Sequence, residues 1–201
     1  MIFILAFLLA GTFTDYKEAE RIPGELAASV KTLYRDTKII STNTETHEAH
    51  IRDNHIKQLL NAINLNFGNN VWKQTEVNSA MDTIDNDIIE LAKKGTPQVR
   101  NELSNIERIS HRIEIIKETT FVPAAYNVAE LAIGMGILTL LFSAIDPYYE
   151  GLFLVGVISV LLISIILLIK DMDDPFDTGK KSYVDIDLSP VYKLEEYLQN
   201  K

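Results

Sequence analysis

Three histidines, His47, His50 and His55, lie among Glu45, Glu48 and Asp53, and imidazoles and carboxylates at helical spacing can hold a zinc ion. Their spacings are three and five residues. His47 and His50 can share a helix face but His55 falls off it, so a solvated polar face accounts for them better than a metal set. His111 stands alone in the sequence. Asp82, Asp85 and Asp87 belong to the polar face of a helical repeat rather than to a calcium loop. No G-x-x-x-x-G-K-[ST], G-x-G-x-x-G or G-x-S-x-G occurs. These residues imply no catalytic site, no metal and no cofactor, and an enzyme is not expected.

One carboxylate stands apart. Glu130 follows Tyr126 and Asn127 inside an apolar stretch, where an ionisable group is costly enough to suggest a function. That stretch, residues 121–145, and a second at 149–169 each reach the roughly 20 residues that a membrane-spanning helix needs. Joined by the tip Asp146-Pro147-Tyr148-Tyr149-Glu150, they read as a transmembrane hairpin. A buried soluble helix pair would need a shell of apolar partners, and the rest of the chain offers only amphipathic stripes. In the second arm only Ser159 and Ser164 interrupt the apolar run, and hydroxyls there can bond back to their own helix. In the first arm Ala125, Ala129, Ala132 and Gly136 form a small-residue stripe, which either admits a neighbouring helix or reflects the ordinary frequency of such residues in membranes. Glu130 is expected at the interface, facing water, a lysine or another subunit.

The chain of 201 residues has a formal net charge of −9, is 47% hydrophobic and has no cysteine. Disulfides, thiol catalysis and cysteine-ligated metals are thereby excluded. No basic run or patch is visible, so a nucleic-acid partner is not expected. Residues 2–13 are apolar but too short to span alone. No positive segment precedes them and a patterned helix follows, so the C-terminal half of a membrane helix is preferred to a signal peptide.

From Thr14 the helix continues to Pro23-Gly24, which should bend or restart it. Leu26, Val30, Leu33, Thr37 and Ile40 then keep an amphipathic spacing up to a loop at residues 41–44. Further stripes are Ile56, Leu59, Leu60, Ile63 and Phe67; Val77, Met81, Ile84, Ile88 and Leu91; and Val99, Leu103, Ile106, Ser110 and Ile113. The second of these three helices should end at Lys93-Lys94-Gly95, and Thr96-Pro97 should open the next. After the hairpin, Asp171, Asp173, Asp174 and Asp177 cluster. Residues 183–188 alternate like a short strand, and 191–198 read as helical.

The reading is an all-α integral membrane protein: a short or truncated N-terminal membrane helix (1–14), a cytoplasmic helical bundle (15–119), a transmembrane hairpin (120–170) and a cytoplasmic tail (171–201). Lys17, Arg21, Arg108, Arg112, Lys117, Lys170, Lys180 and Lys181 flank the apolar stretches while the tip has no basic residue, which places bundle and tail on the cytoplasmic side of the plasma (inner) membrane.

Leu5-Ala6-Phe7-Leu8-Leu9-Ala10-Gly11 leading to Asp15-Tyr16-Lys17-Glu18-Ala19-Glu20, then Glu25-Leu26-Ala27-Ala28-Ser29, Tyr34, Trp72 and the closing Asp174-Pro175-Phe176 resemble bestrophin-like proteins of bacteria. The resemblance covers almost the whole chain. It implies a multi-pass relative of bestrophins, which are pentameric anion channels whose pore is lined by the helix after the first span. Residues 7–16 would then line a pore, with Phe7, Ala10, Gly11 and Thr14 as candidates and small ions as cargo. No acidic calcium clasp of true bestrophins can be matched. The same small and hydroxylated positions, with Thr12, also suit packing against a neighbouring helix. Asn127 and Glu130 are interfacial polar candidates, and Pro175-Phe176 would lock the hairpin's exit against the bundle. The rival reading is a membrane-anchored interaction protein without a pore. Thr12, Thr14 and Glu130 all satisfied within one chain would favour the rival; polar residues facing a central axis would favour a channel.

Overall fold

The computed structural model describes residues 2–41, 46–69, 71–92, 97–118, 123–143, 147–176 and 184–200, except the side chains of 40–41, 46–52, 88–92 and 123. These residues form α1 (Ile2–Ser41), α2 (Thr46–Gly68), α3 (Gln74–Ala92), α4 (Pro97–Glu118), α5 (Pro123–Leu141), α6 (Tyr148–Asp173) and α7 (Ser189–Gln199). The all-α expectation holds. His47, His50, Ile88, Leu91, the Lys93–Gly95 stop, the Thr96 cap, Ile145, Asp146 and Asp177 lie outside the described residues or side chains.

α1 is one helix of 40 residues, and it neither stops nor restarts at Pro23-Gly24. A proline inside a helix removes one hydrogen bond and crowds the preceding turn, at roughly 3 kcal/mol. Packing outweighs that cost. Ala19, Ile22, Leu26, Val30, Leu33 and Thr37 form one buried face that runs past Pro23 and lies chiefly against α4 and α7.

Two clusters of buried side chains result. The larger one contains the predicted stripes: Ile56, Leu59, Leu60, Ile63 and Phe67 of α2, Val77, Met81 and Ile84 of α3, and Val99, Leu103, Ile106 and Ile113 of α4. The tail completes it. Phe176 is fully buried against Phe67, with ring centroids 5.8 Å apart, and Trp72 stacks on the same Phe67 at 5.1 Å. Ile186, Leu188, Val191, Leu194 and Leu198 close the side formed by α1 and α2.

Residues 184–188 are not a strand. Their alternation is real, since Ile186 and Leu188 are buried while Asp185 and Asp187 are exposed, but among the described residues there is no second strand to pair with. One backbone bond, from the Ile186 N–H to the Pro175 carbonyl at 3.4 Å, ties this extended segment down. α7 starts at Ser189, two residues earlier than the pattern suggests, with Pro190 in its first turn, where a proline fits.

The smaller cluster joins Leu5 and Leu8 of α1 to Tyr126, Ala129 and Ile133 of α5 and Leu162, Ile166 and Ile169 of α6. α5 is shorter than the apolar stretch that contains it, whereas α6 runs past its stretch to Asp173. Both are long and apolar enough to cross a membrane, and most of their surface is uncovered. Uncharged from Gly151 to Ile169, α6 presents about 28 Å of apolar helix at 1.5 Å per residue, close to a hydrocarbon thickness of about 30 Å. Phe153, Val160 and Leu161 are 75%, 65% and 57% exposed on it, which water would not tolerate over so large an area. α5 and α6 thus carry the surface of a membrane protein.

Candidate functional site: the uncovered stripe of the first helix

The face of α1 opposite its packed side stays exposed from end to end. Phe3, Phe7, Ala10 and Thr14 begin it, Lys17, Arg21, Gly24 and Ala28 continue it, and Lys31, Arg35 and Lys38 finish it. The spacing alternates between four and three residues throughout, so these positions lie one above another along one side of the helix. The first three are apolar or small. Beyond Thr14, five of seven are basic and none is acidic.

This basic stripe corrects the expectation that the chain has no basic patch. Cations three to ten residues apart form no run in sequence, yet the helix gathers them on one line. The acidic neighbours sit beside the stripe rather than on it: Lys17 Nζ donates to Glu20 at 2.7 Å, Arg21 pairs with Glu25 at 3.3 Å and Arg35 with Asp36 at 3.7 Å. The hydrogen bond from Lys17 to Glu20 raises the lysine pKa above its ordinary value. Lys31 lies over the Tyr197 ring, 5.9 Å from its centroid, so α7 borders the stripe.

The pore candidates divide about this face. Phe7, Ala10 and Thr14 are exposed on the stripe, whereas Gly11 is half-buried at its edge and Thr12 is buried on the other side. Thr12 Oγ1 donates to the Leu8 carbonyl at 3.1 Å and Thr14 Oγ1 to the Ala10 carbonyl at 2.9 Å. In the hairpin, Asn127 is exposed, and Lys170 Nζ donates to Glu130 Oε1 across the two arms. Lys170 ends the uncharged run of α6, so this pair is level with the end of the apolar band. Asp174 is exposed beside the buried Pro175 and Phe176. In the small-residue stripe, Ala129 is buried while Ala125, Ala132 and Gly136 are half-buried.

What holds the stripe in position was not readable in sequence. Arg112 of α4 grips Glu18 of α1 with both arms of its guanidinium, Nε at 2.6 Å and Nη2 at 2.5 Å. The hydrogen bond from Arg112 holds the Glu18 carboxyl below the usual glutamate range. Next to this clamp, Asn105 Nδ2 donates to Ser29 Oγ at 2.6 Å. On the far side of the bundle His55 pairs with Asp87, and His111, which stands alone in sequence, pairs with Glu114 one turn away at 3.1 Å. No group of three or more potential metal ligands occurs among the described residues.

The layout of a long first helix, a helical bundle, an apolar hairpin and a tail folded back into the bundle is shared with solved proteins. Two variants of a bacterial bestrophin homologue from Klebsiella pneumoniae superpose with TM-scores of 0.82 and 0.80, covering 99% and 98% of this chain and 82% and 83% of theirs. This is the bestrophin fold. The sequences are only 17% and 16% identical. A third variant of the same homologue gives a TM-score of 0.81 at 16% identity, over 99% of this chain and 82% of that one. No family model and no curated protein matches the chain by sequence. Bestrophin-fold likeness at this identity fixes architecture, and the chain's activity has to be argued from its own residues.

Proposed function

We propose that this chain is one subunit of a homo-oligomeric ion channel, in which several copies turn the exposed face of α1 toward a common axis. The observation that carries the reading is the stripe. A helix that exposes Phe3, Phe7, Ala10 and Thr14 at its apolar end, and five cations on the same line beyond, presents one continuous surface that further copies of the chain can turn toward a shared axis. Around an axis, the first group makes a narrow apolar constriction of the kind that gates by dewetting, and the second a basic vestibule that concentrates anions. The bestrophin fold supports a ring of such copies, five by the family resemblance. The basic residues near the apolar helices support a multi-pass arrangement in the plasma membrane with bundle and tail cytoplasmic.

A specific observation favours the rival, a membrane-anchored interaction protein: Thr12, Thr14 and Glu130 each find a partner within one chain. The two threonine bonds weigh little, because hydroxyls in any helix bond back to the preceding turn and keep lone pairs for water or ions. The Glu130–Lys170 pair weighs more, since it removes Glu130 as a group reserved for another subunit.

Ion flux through liposomes containing the purified chain decides between them, with chloride and potassium gradients applied separately. A channel passes ions and Ala10→Trp abolishes the flux. Absence of flux from correctly folded oligomers would leave the anchored interaction protein.

A further inference from the structure

Charge is not spread evenly along α1. From Asp15 to Glu25 the helix carries four carboxylates against two cations, and from Leu26 to Ser41 three cations against one carboxylate. The positive field of the stripe therefore comes from its second half. Lys31, the first cation of that half, lies about 26 Å along the helix from Thr14 and about 9 Å from Glu25 at 1.5 Å per residue. The second distance is close to the Debye length of about 8 Å at physiological salt, so the carboxylates of the first half act on Lys31 weakly.

The surroundings of Lys31 also set it apart. Lys17, Arg21 and Arg35 each have a carboxylate at 2.7, 3.3 and 3.7 Å, and the fields of such a pair largely cancel a short distance away. Lys38 sits in the last turn of α1, against the negative end of the helix dipole. No carboxylate pairs with Lys31 among the described residues. Its ammonium lies instead over the Tyr197 ring of α7. A ring attracts a cation through its quadrupole but has no net charge, so it holds the ammonium without neutralising it. On α7 the nearest charges in sequence, Lys193 and Glu196, are of opposite sign. Lys31 and Tyr197 are both exposed, so the charge faces water.

We propose that Lys31 sets the preference of the vestibule for small anions over cations, with Tyr197 as the residue that positions it. This rests on the channel reading above. With several copies around an axis, the Lys31 side chains form a ring of uncompensated ammonium groups, which raises the local concentration of chloride and lowers that of potassium. The tail helix thereby acts on conduction through the one cation of the stripe it touches.

The test is the reversal potential of the full chain in planar bilayers under a potassium chloride gradient, which gives the chloride-to-potassium permeability ratio. Lys31→Gln should lower that ratio by about threefold or more, and Lys31→Arg should keep it within about 1.5-fold of the parent. Lys73→Gln removes the same charge from α3, off the stripe, and should leave the ratio unchanged. Tyr197→Leu should lower the ratio less than Lys31→Gln does, and should add nothing in the Lys31→Gln background, because it acts only through that ammonium. Lys31→Cys gives a second reading within one folded protein: a thiol reagent that attaches an ammonium should restore the ratio, and one that attaches a sulfonate should lower it further. A ratio that does not fall in Lys31→Gln, in a channel that still conducts, overturns the proposal and leaves the channel reading standing. A parent chain that passes no ions overturns both.

Discussion

In the bundle, Phe67 and Ile113 are fully buried and the charged residues face outward. At the hairpin the order reverses: Phe153 and Leu161 face outward, while small Ala129 is buried and Glu130 reaches across to Lys170. Both regions are helices packed on helices, and α1 belongs to both. They differ in the solvent each outer face is made for. Water drives apolar stripes inward in the bundle, whereas lipid tails are as apolar as leucine, so hairpin arms pack by small residues and polar pairs instead. A substitution that is severe in one region should therefore be mild in the other.

The sharpest contrast is a large-to-small change. Phe67→Ala removes a ring packed between Trp72 and Phe176 and should cost about 3–5 kcal/mol, while Leu161→Ala should stay within about 0.5 kcal/mol. Denaturant unfolding of the detergent-solubilised chain, followed by circular dichroism, measures both. Equal costs would mean that the exposed face of α6 is covered by protein rather than lipid.

A charge reverses the ranking. Leu161→Arg should oppose membrane insertion by about 2.5–3.5 kcal/mol, whereas Asn86→Arg, on an exposed position of α3, should change bundle stability by no more than about 0.5 kcal/mol. Glycosylation mapping of inserted segments reads the first and thermal unfolding the second.

The smallest effect concerns the seating of α1, the helix that both regions share, against α4. Arg112→Ala removes the clamp on Glu18, and because both side chains are about two-fifths exposed the loss should be about 1 kcal/mol or less. The folded-state Glu18 pKa is depressed, so its contribution is fully present above the ordinary glutamate range and fades as pH falls through that range toward the depressed value. The stability gap between the parent chain and Arg112→Ala should accordingly be constant near neutrality and shrink below about pH 4.3.

Periodic apolar residues made the helices readable: the stripes of α2 and α4, and that of α3 from Val77 to Ile84, are buried where spacing puts them, and two long apolar helices stand where the hairpin was read. Single residues misled where a larger interface overruled them. Pro23 argues for a break, but the face from Ala19 to Thr37 continues through it. Alternation at 184–188 argues for a strand, but pairing needs a second strand that local sequence cannot supply. The uncovered stripe of α1 was half visible. Phe7, Ala10 and Thr14 stood out as a local group, while Lys31, Arg35 and Lys38 joined them only once the helix was known to run unbroken. The Arg112–Glu18 clamp joins residues 94 positions apart, and no local pattern reveals such a contact.

The most direct measurement uses the absence of native cysteine. Ala10→Cys and Leu161→Cys both place a thiol on a face this chain leaves exposed, one on α1 and one on α6. In proteoliposomes, the proposed axis along α1 predicts that a charged thiol reagent modifies Ala10→Cys, and the membrane reading of the hairpin predicts that Leu161→Cys stays untouched in lipid. Protection of both would contradict a conducting axis along α1, and modification of Leu161→Cys would contradict the membrane assignment of the hairpin.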